Sequence, residues 1–139
     1  MAGSLKTRPA HEGNIAGVIE FAEAEITFAA ANERQLIASL PAGAIVLDRW
    51  FEIITPFDSG TSDEGNIGWG AVGAATSDDL LDAVDLQGAA GVYPATRGIP
   101  AVRLAAAQDI YAYHLTVGTD PTAGAARACI VFVRTADNG

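Results

Sequence analysis

The sequence predicts an all-β fold, an antiparallel sandwich or barrel of about seven or eight strands with one short helix and an extended N-terminal arm. Two observations lead to this prediction. Apolar and polar residues alternate with a period of two in several segments, which is typical of half-buried strands. Clusters of Gly, Pro, Asn and Asp separate these segments at short spacing. The 139 residues suit one domain, residues 15–139, preceded by an arm at residues 1–14.

The charge and hydropathy of the chain disfavour several classes of partner. The formal net charge is −9, from 17 acidic and 8 basic residues, which repels phosphate backbones and argues against nucleic-acid binding. A basic membrane-binding face is disfavoured for the same reason. No apolar run approaches the roughly 18–20 residues of a membrane span, and the N-terminus lacks the apolar middle of a signal peptide. We therefore expect a chain made in the cytoplasm that binds neither nucleic acid nor membrane.

The alternating segments give the predicted strands. They are residues 15–28, 34–40, 44–57, 66–75, 101–107, 110–118 and 125–135. In residues 44–57 the alternation places one set of side chains on one face (Ile45, Leu47, Phe51 and Ile53) and a second set on the other (Val46, Trp50 and Ile54). The turn residues at 118–124 predict a hairpin-like connection between the last two strands.

The segment TSDDLLDAVDLQ, residues 76–87, predicts the short helix. Ser77 suits the N-cap, Asp78 and Asp79 suit the positive end of the helix dipole, and Leu80, Leu81 and Val84 would share a face. The Gly- and Pro-rich residues 88–100, which include Tyr93, predict a long loop.

Two acidic stretches are candidate cation sites. Asp58–Glu64 does not match the EF-hand spacing, so a solvated hairpin connection is the main interpretation of residues 58–66. Asp78–Asp85 carries four aspartates, for which a solvated face is the main interpretation. Whether either stretch binds a cation is left open by the sequence.

The residues that usually carry catalysis are sparse. One cysteine and two distant histidines do not form a zinc site, so we predict no metal, cofactor or catalytic residue. Cys129 lies in an apolar run and is expected to be buried. His114 is expected to be a half-buried, hydrogen-bonded strand residue. In a small β-fold hydrolase, the weakest alternative, Asp109, Tyr111 and Tyr113 would orient it.

A short set of turn motifs covers about residues 40–134. The motifs are an apolar strand opened by Leu-Pro-x-Gly, a T-x-F-D-x-G corner, a D-D-L-L-D-x-x-D-L turn, and T-x-G-x-A-R before a last apolar strand. Their residues here are Leu40, Pro41 and Gly43; Thr55, Phe57, Asp58 and Gly60; Asp78 to Leu86; and Thr122, Gly124, Ala126 and Arg127. In these features the chain resembles small virion structural proteins of tailed bacteriophages, of the capsid decoration or cement type.

The resemblance implies a jelly-roll sandwich and a non-enzymatic role in the virion. Its expected partner is the major capsid protein or another virion protein, and the expected assembly is a homo-oligomer, with a trimer favoured. The alternative is a carbohydrate- or receptor-binding β-sandwich of a phage fibre. The predicted partner-binding residues are basic side chains of the arm and three aromatic residues: Lys6, Arg8, His11, Trp50, Trp69 and Tyr93.

Overall fold

The computed structural model describes residues 17–94 and 100–135 and confirms the all-β prediction. The arm predicted at residues 1–14 lies outside the described residues. The described residues form nine strands and one 3-10 turn: β1 (Ile19–Thr27), the turn Phe28–Ala30, β2 (Arg34–Leu40), β3 (Ile45–Thr55), β4 (Ser62–Gly68), β5 (Leu81–Asp85), β6 (Gly91–Pro94), β7 (Val102–Arg103), β8 (Gln108–Val117) and β9 (Ala125–Val133).

The strands form two antiparallel sheets. Sheet I has the order β1-β9-β3-β6, with β7 also paired to β3, and sheet II has the order β2-β8-β4-β5. The predicted hairpin at residues 118–124 is wrong, because β8 belongs to sheet II and β9 to sheet I. Turn residues favour a tight reversal, but they do not determine whether the flanking strands pair with each other.

The core lies between the two sheets. Sheet I contributes Phe51 and Ile130, and sheet II contributes Ile67 and Ile110, all fully buried. The ring of Phe51 packs against the backbone of β4, where a Cβ atom built on Gly65 would lie 2.8 Å from Phe51 Cζ. Gly65 therefore provides the space in which Phe51, the largest fully buried side chain of sheet I, reaches sheet II.

Strand β3 corrects the predicted division of its faces. Its pairing with β9 shifts register between Val46 and Asp48, so one extra residue enters the strand there. Val46 is buried on the same side as Phe51 and Ile53, whereas Leu47 is exposed. Strict alternation predicted that Val46 lies on the face opposite Phe51 and Ile53 and that Leu47 shares their face. This prediction is wrong, because the bulge between Val46 and Asp48 reverses the two faces.

Residues 81–85 correct the predicted helix, because they form a strand. Ala83 has a φ of 60°, and the pairing with β4 shifts register between Gly65 and Ile67. The irregularity turns both Leu81 and Val84 inward although they are three positions apart. A bulged strand therefore reproduces the spacing that is typical of a helix face.

The chain around β4 also differs from the prediction. Residues 62–66, predicted to belong to a solvated connection, are in the strand, and the predicted strand at 66–75 ends at Gly68. The chain then folds back on itself, since a Cβ atom on Gly68 would lie 2.4 Å from the carbonyl oxygen of Thr76. A further strand, β6, lies within the segment predicted to be a long loop.

Replacing Gly65 by alanine tests how tightly the sheets pack. We expect Gly65→Ala to lower the free energy of unfolding by about 1–3 kcal/mol, because the new methyl group overlaps the Phe51 ring. Gly88→Ala is the matched control, since its methyl group would lie no closer than 3.4 Å to a neighbour. Urea denaturation measures both variants; equal stabilities would contradict the packing described.

Candidate interaction surface

The outer face of sheet I carries a group of exposed apolar side chains. Directly paired residues share a face, and the rows Ile19–Val133–Ile45 and Phe21–Val131 point away from the core. Two further side chains of this face come from β3 and β6. We call the following residues the outer apolar patch: Ile19, Phe21, Ile45, Trp50, Val92, Val131 and Val133.

The patch is exposed to an unusual degree for apolar side chains. Ile19 is 67% exposed, Phe21 56% and Val92 59%. The rings of Phe21 and Trp50 contact each other, with centroids 6.1 Å apart. Clustering of large exposed apolar groups on one sheet face is typical of a surface that another protein covers.

Cys129 lies on the same face but is covered. It pairs with Glu23 on one side and with Trp50 on the other, and only 3% of it is exposed. Burial, together with the charges of Glu23 and Glu52, raises the pKa of the Cys129 thiol to about 11. The thiol is therefore protonated at neutral pH and acts as an apolar group, as the sequence predicted.

Charged side chains border the outer apolar patch, and most are acidic. Glu23, Glu25, Asp48 and Glu52 follow from the strand register as residues of this face. Arg127 lies among them, and its guanidinium is 3.2 Å from a carboxylate oxygen of Glu52. A partner that covers the patch therefore meets a negatively charged border.

The predicted partner-binding residues are dispersed over the molecule. Trp50 is in the outer apolar patch. Trp69 directly follows β4, and its side chain packs partly against the core. Tyr93 is on β6 and also packs partly against the core, and its hydroxyl donates a hydrogen bond to the carbonyl oxygen of Ala89 at 2.5 Å. The remaining three, Lys6, Arg8 and His11, lie outside the described residues.

Sequence reasoning did not single out Phe21 and Ile19, the most exposed aromatic and aliphatic residues of the patch. Their alternation with glutamates along β1 predicts two unlike faces. It does not indicate which face is covered, because the alanines and Ile26 of the other face are also apolar. The cross-strand register with β9 resolves this, and register is a property of the folded chain.

A cluster of polar residues is buried inside the sandwich, away from the outer apolar patch. The carboxylate of Asp63 has no exposed surface and accepts hydrogen bonds from Ser59 N (2.9 Å), Gln87 Nε2 (2.9 Å) and His114 Nε2 (2.7 Å). Burial alone would raise the pKa of Asp63, but the hydrogen bonds from Ser59, Gln87 and His114 outweigh it and lower the pKa to about 2. Asp63 is therefore a buried, ionised side chain.

His114 is more enclosed than expected and has a different partner. Its side chain is fully buried, and the ring of Phe57 lies 4.6 Å away, centroid to centroid. Asp109, Tyr111 and Tyr113 were considered as residues that would orient it, but they occupy the opposite face of β8 because strand side chains alternate. The structure places the imidazole within the core, where Asp63 holds it.

The carboxylate of Asp58 holds the corner between β8 and β9. It accepts hydrogen bonds from the Thr122 hydroxyl (2.7 Å), Thr122 N (2.7 Å) and Ala123 N (3.0 Å). These bonds, first that of the Thr122 hydroxyl, lower the pKa of Asp58. Within residues 17–94 and 100–135, no group of three His, Cys, Asp or Glu side chains is placed to hold a metal ion.

The described part of the chain has no helix of the length and apolarity that a bilayer crossing requires. By sequence, no protein-family model matches this chain, and neither does any curated protein. Similar folds are found among solved structures.

Three solved phage capsids contain chains with a similar fold. A chain in the acidic stable capsid structure of Helicobacter pylori bacteriophage KHP30 is 17% identical, with a TM-score of 0.63 over 88% of this chain and 92% of that one. A chain of the cyanophage Pam1 capsid is 18% identical, with a TM-score of 0.60 over 96% and 97%. One in the capsid of Ralstonia phage GP4 is 20% identical, with a TM-score of 0.53 over 87% of each chain. At these identities the likeness establishes a shared fold.

The buried carboxylate gives the fold a defined dependence on pH. The pKa of Asp63 is about 2 in the folded chain, below that of an unfolded aspartate, so the unfolded state takes up its proton first. The stabilisation is complete above about pH 4 and is lost as the pH falls towards about 2, at a cost of roughly 2–3 kcal/mol. Urea denaturation at a series of pH values measures this loss.

The variant Asp63→Asn removes the charge and should flatten this part of the pH profile. We expect it to lower the stability at pH 7 by about 2–4 kcal/mol, because buried donors lose their anionic acceptor. Asp82→Asn, at an exposed position, is the control and should change neither value. An unchanged acid slope in Asp63→Asn would show that Asp63 is not the group responsible.

Proposed function

We propose that this chain is a non-enzymatic structural protein of a phage virion, most specifically a capsid decoration or cement protein on the outside of the head. One observation carries the proposal: chains in three phage capsid structures share this fold over 87–96% of the chain. The motifs that suggested such a protein from the sequence are an independent line of support.

The strand order supports the jelly-roll form of this proposal. Leaving aside the two-residue β7, eight strands divide into two antiparallel sheets of four. The chain passes from one sheet to the other at six of the seven remaining connections. Two packed four-stranded sheets joined in this manner are typical of jelly rolls, an architecture found in viral capsid proteins.

The outer apolar patch is the proposed attachment surface. Burying an exposed side chain such as Phe21 or Ile19 contributes about 1.5–3 kcal/mol to the free energy of binding. A few such residues therefore offset part of the entropic cost of docking. Repetition of the contact around a shell strengthens attachment further, because linked subunits bind together. Area buried across neighbouring capsomers would oppose the pressure of packaged DNA.

The charges of the chain indicate the chemistry of the neighbour. Four carboxylates lie around the outer apolar patch with two guanidinium groups, those of Arg127 and of Arg103, which pairs with Ile45. Because carboxylates are in excess, a covering surface should carry basic groups around an apolar centre. The basic residues Lys6, Arg8 and His11 of a neighbouring copy would suit this border. The proposed assembly is a homo-oligomer, a trimer by preference, seated on the major capsid protein or another virion protein.

The buried polar cluster supports a structural role for the histidine. His114 and Asp63 have no exposed side-chain surface, so neither can touch a substrate from solvent without opening the sandwich. Their hydrogen bonds hold connecting segments together, and the raised pKa of Cys129 keeps the thiol protonated. The proposal therefore assigns no catalytic residue.

Particles produced from the genome that encodes this chain test the proposal directly. We expect the purified particles to contain the chain in many copies. We also expect Phe21→Ser, added to particles that lack the chain, to bind at least tenfold more weakly than wild type, because one large apolar contact is lost.

Val117→Ser is the matched control for this experiment. Val117 has the same exposed fraction as Phe21, 56%, but lies on sheet II. It should bind like wild type, and both variants should keep the wild-type melting temperature. Particles that contain none of the chain would overturn the proposed function, and equal loss in both variants would overturn the proposed surface.

The arm gives a separate prediction. We expect deletion of residues 1–14 to leave the melting temperature unchanged, since strand β1 begins only at Ile19. We expect the deletion to weaken binding to the same particles, with the difference shrinking at high salt because Lys6 and Arg8 act through charge. An unfolded deletion variant, or undiminished binding at low salt, would contradict this prediction.

A further inference from the structure

A groove of about 630 Å³ lies at one end of sheet II. The end of β2, the start of β8 and the residues that follow β4 meet there. Its walls include Ser39, Trp69, Gly70, Asp109 and Tyr111. The volume falls within the range of sites for small ligands, roughly 300–1,000 Å³. The outer apolar patch lies on the other sheet, so the groove is a separate feature.

The ring of Tyr111 is held in place on the groove wall. The guanidinium of Arg34 stacks on it, 4.0 Å from the ring centroid, and the ring of Tyr113 meets it edge-on at 6.3 Å. Both neighbours are themselves fixed, since the Tyr113 hydroxyl donates to the carbonyl oxygen of Gly70 at 2.7 Å and Arg34 Nη1 donates to the same oxygen. A ring fixed before binding loses little conformational entropy when a ligand packs on it.

The second aromatic wall, Trp69, is fixed by the backbone. Its amide donates to the carbonyl oxygen of Thr76 at 2.7 Å, and its side chain packs partly against the core. Gly70 next to it has a φ of +113°, and a Cβ atom there would lie 2.0 Å from Thr76 Oγ1. Glycine is therefore required for this fold of the loop, which holds Trp69 at the groove.

The polar groups of the groove are oriented as well. The hydroxyl of Ser39 donates to Asp109 Oδ1 at 2.7 Å, which leaves Asp109 Oδ2 with no hydrogen-bond donor among the described residues. The amide of Gln108, also on the wall, offers both donors and an acceptor. A ligand in the groove thus meets aromatic side chains beside a carboxylate and an amide.

From this combination we propose that the sheet II groove binds a neutral saccharide. A pyranose ring presents an apolar C–H face, which packs on an aromatic ring, and hydroxyl groups around its edge, which donate to a carboxylate. The net charge of −9 and the carboxylate of Asp109 disfavour anionic ligands, and the carboxylate and amide on the wall would lose their hydration under a lipid chain. Among the described residues, Asp109 is the one carboxylate on the groove wall, whereas glycoside cleavage uses a pair, so the expected event is binding without hydrolysis.

Titration of the ¹⁵N-labelled full chain tests the proposal. The probes are four neutral trisaccharides (maltotriose, cellotriose, mannotriose and N,N′,N″-triacetylchitotriose), with sialyllactose as an acidic sugar and trialanine as a peptide. We expect at least one neutral trisaccharide, at millimolar concentration, to shift the amide resonances of Ser39, Gly70, Asp109 and Tyr111. Sialyllactose and trialanine should not shift them.

Two variants locate the site and keep the test independent of folding. We expect Tyr111→Ala to weaken the binding about tenfold, through loss of the stacking surface, and Asp109→Asn to weaken it by a smaller factor. Phe28→Ala removes an exposed aromatic ring outside the groove and should leave binding unchanged. Absence of shifts with all four neutral sugars, shifts that map elsewhere, a response to trialanine alone, or equal affinity of Tyr111→Ala and wild type would overturn the proposal.

Discussion

The hydrogen bonds of the buried Asp63 carboxylate hold together the segments at one end of the sandwich. The carboxylate joins Ser59 on the connection from β3 to β4, Gln87 after β5, and His114 on β8. These segments connect or support both sheets, so a single ion fixes the path of the chain where it crosses from one sheet to the other. A buried charge is costly unless every acceptor site is used, and here three donors offset that cost.

The corner beside this cluster explains why the turn motifs carry information about how the sandwich closes. Phe57 packs against Gly124, where a Cβ atom would lie 2.3 Å from the ring, and Asp58 binds the backbone at Thr122. The motifs T-x-F-D-x-G and T-x-G-x-A-R, far apart in sequence, are therefore two halves of one contact. Such a contact specifies how the sheets close. It carries no information about which surface faces a neighbour, so the resemblance was more informative about the fold than about the position in an assembly.

The sequence predicted those strands in which alternation is unbroken. In β1 and β9 every second residue faces the core, and both strands were found near their predicted bounds. Two predictions were wrong where a residue is inserted into the pairing. At Leu47 strict alternation predicted wrong faces for β3, and at Ala83 the spacing of Leu81 and Val84 predicted a helix in place of β5. A bulge depends on the partner strand, which a single sequence does not show.

The sequence predicted only part of the candidate surfaces, because it does not show which strands pair or in which register. Trp50 and Trp69 were chosen as aromatic residues, and they lie on two different surfaces, the outer apolar patch and the sheet II groove. Asp63 and His114 are 51 positions apart in the sequence, and the residues adjacent to each do not indicate that the two side chains form a hydrogen bond. Composition identifies residues suited to contacts, whereas cross-strand register decides which of them act together.

The pairing of β1 with β9 makes the outer apolar patch a product of both chain ends: Ile19 and Phe21 come from the first strand, Val131 and Val133 from the last. During synthesis the N-terminal half of this surface leaves the ribosome long before its other half exists. A nascent or prematurely terminated polypeptide therefore lacks the complete outer apolar patch. Attachment through this patch, as proposed above, requires a chain in which β9 has been synthesised and has paired with β1.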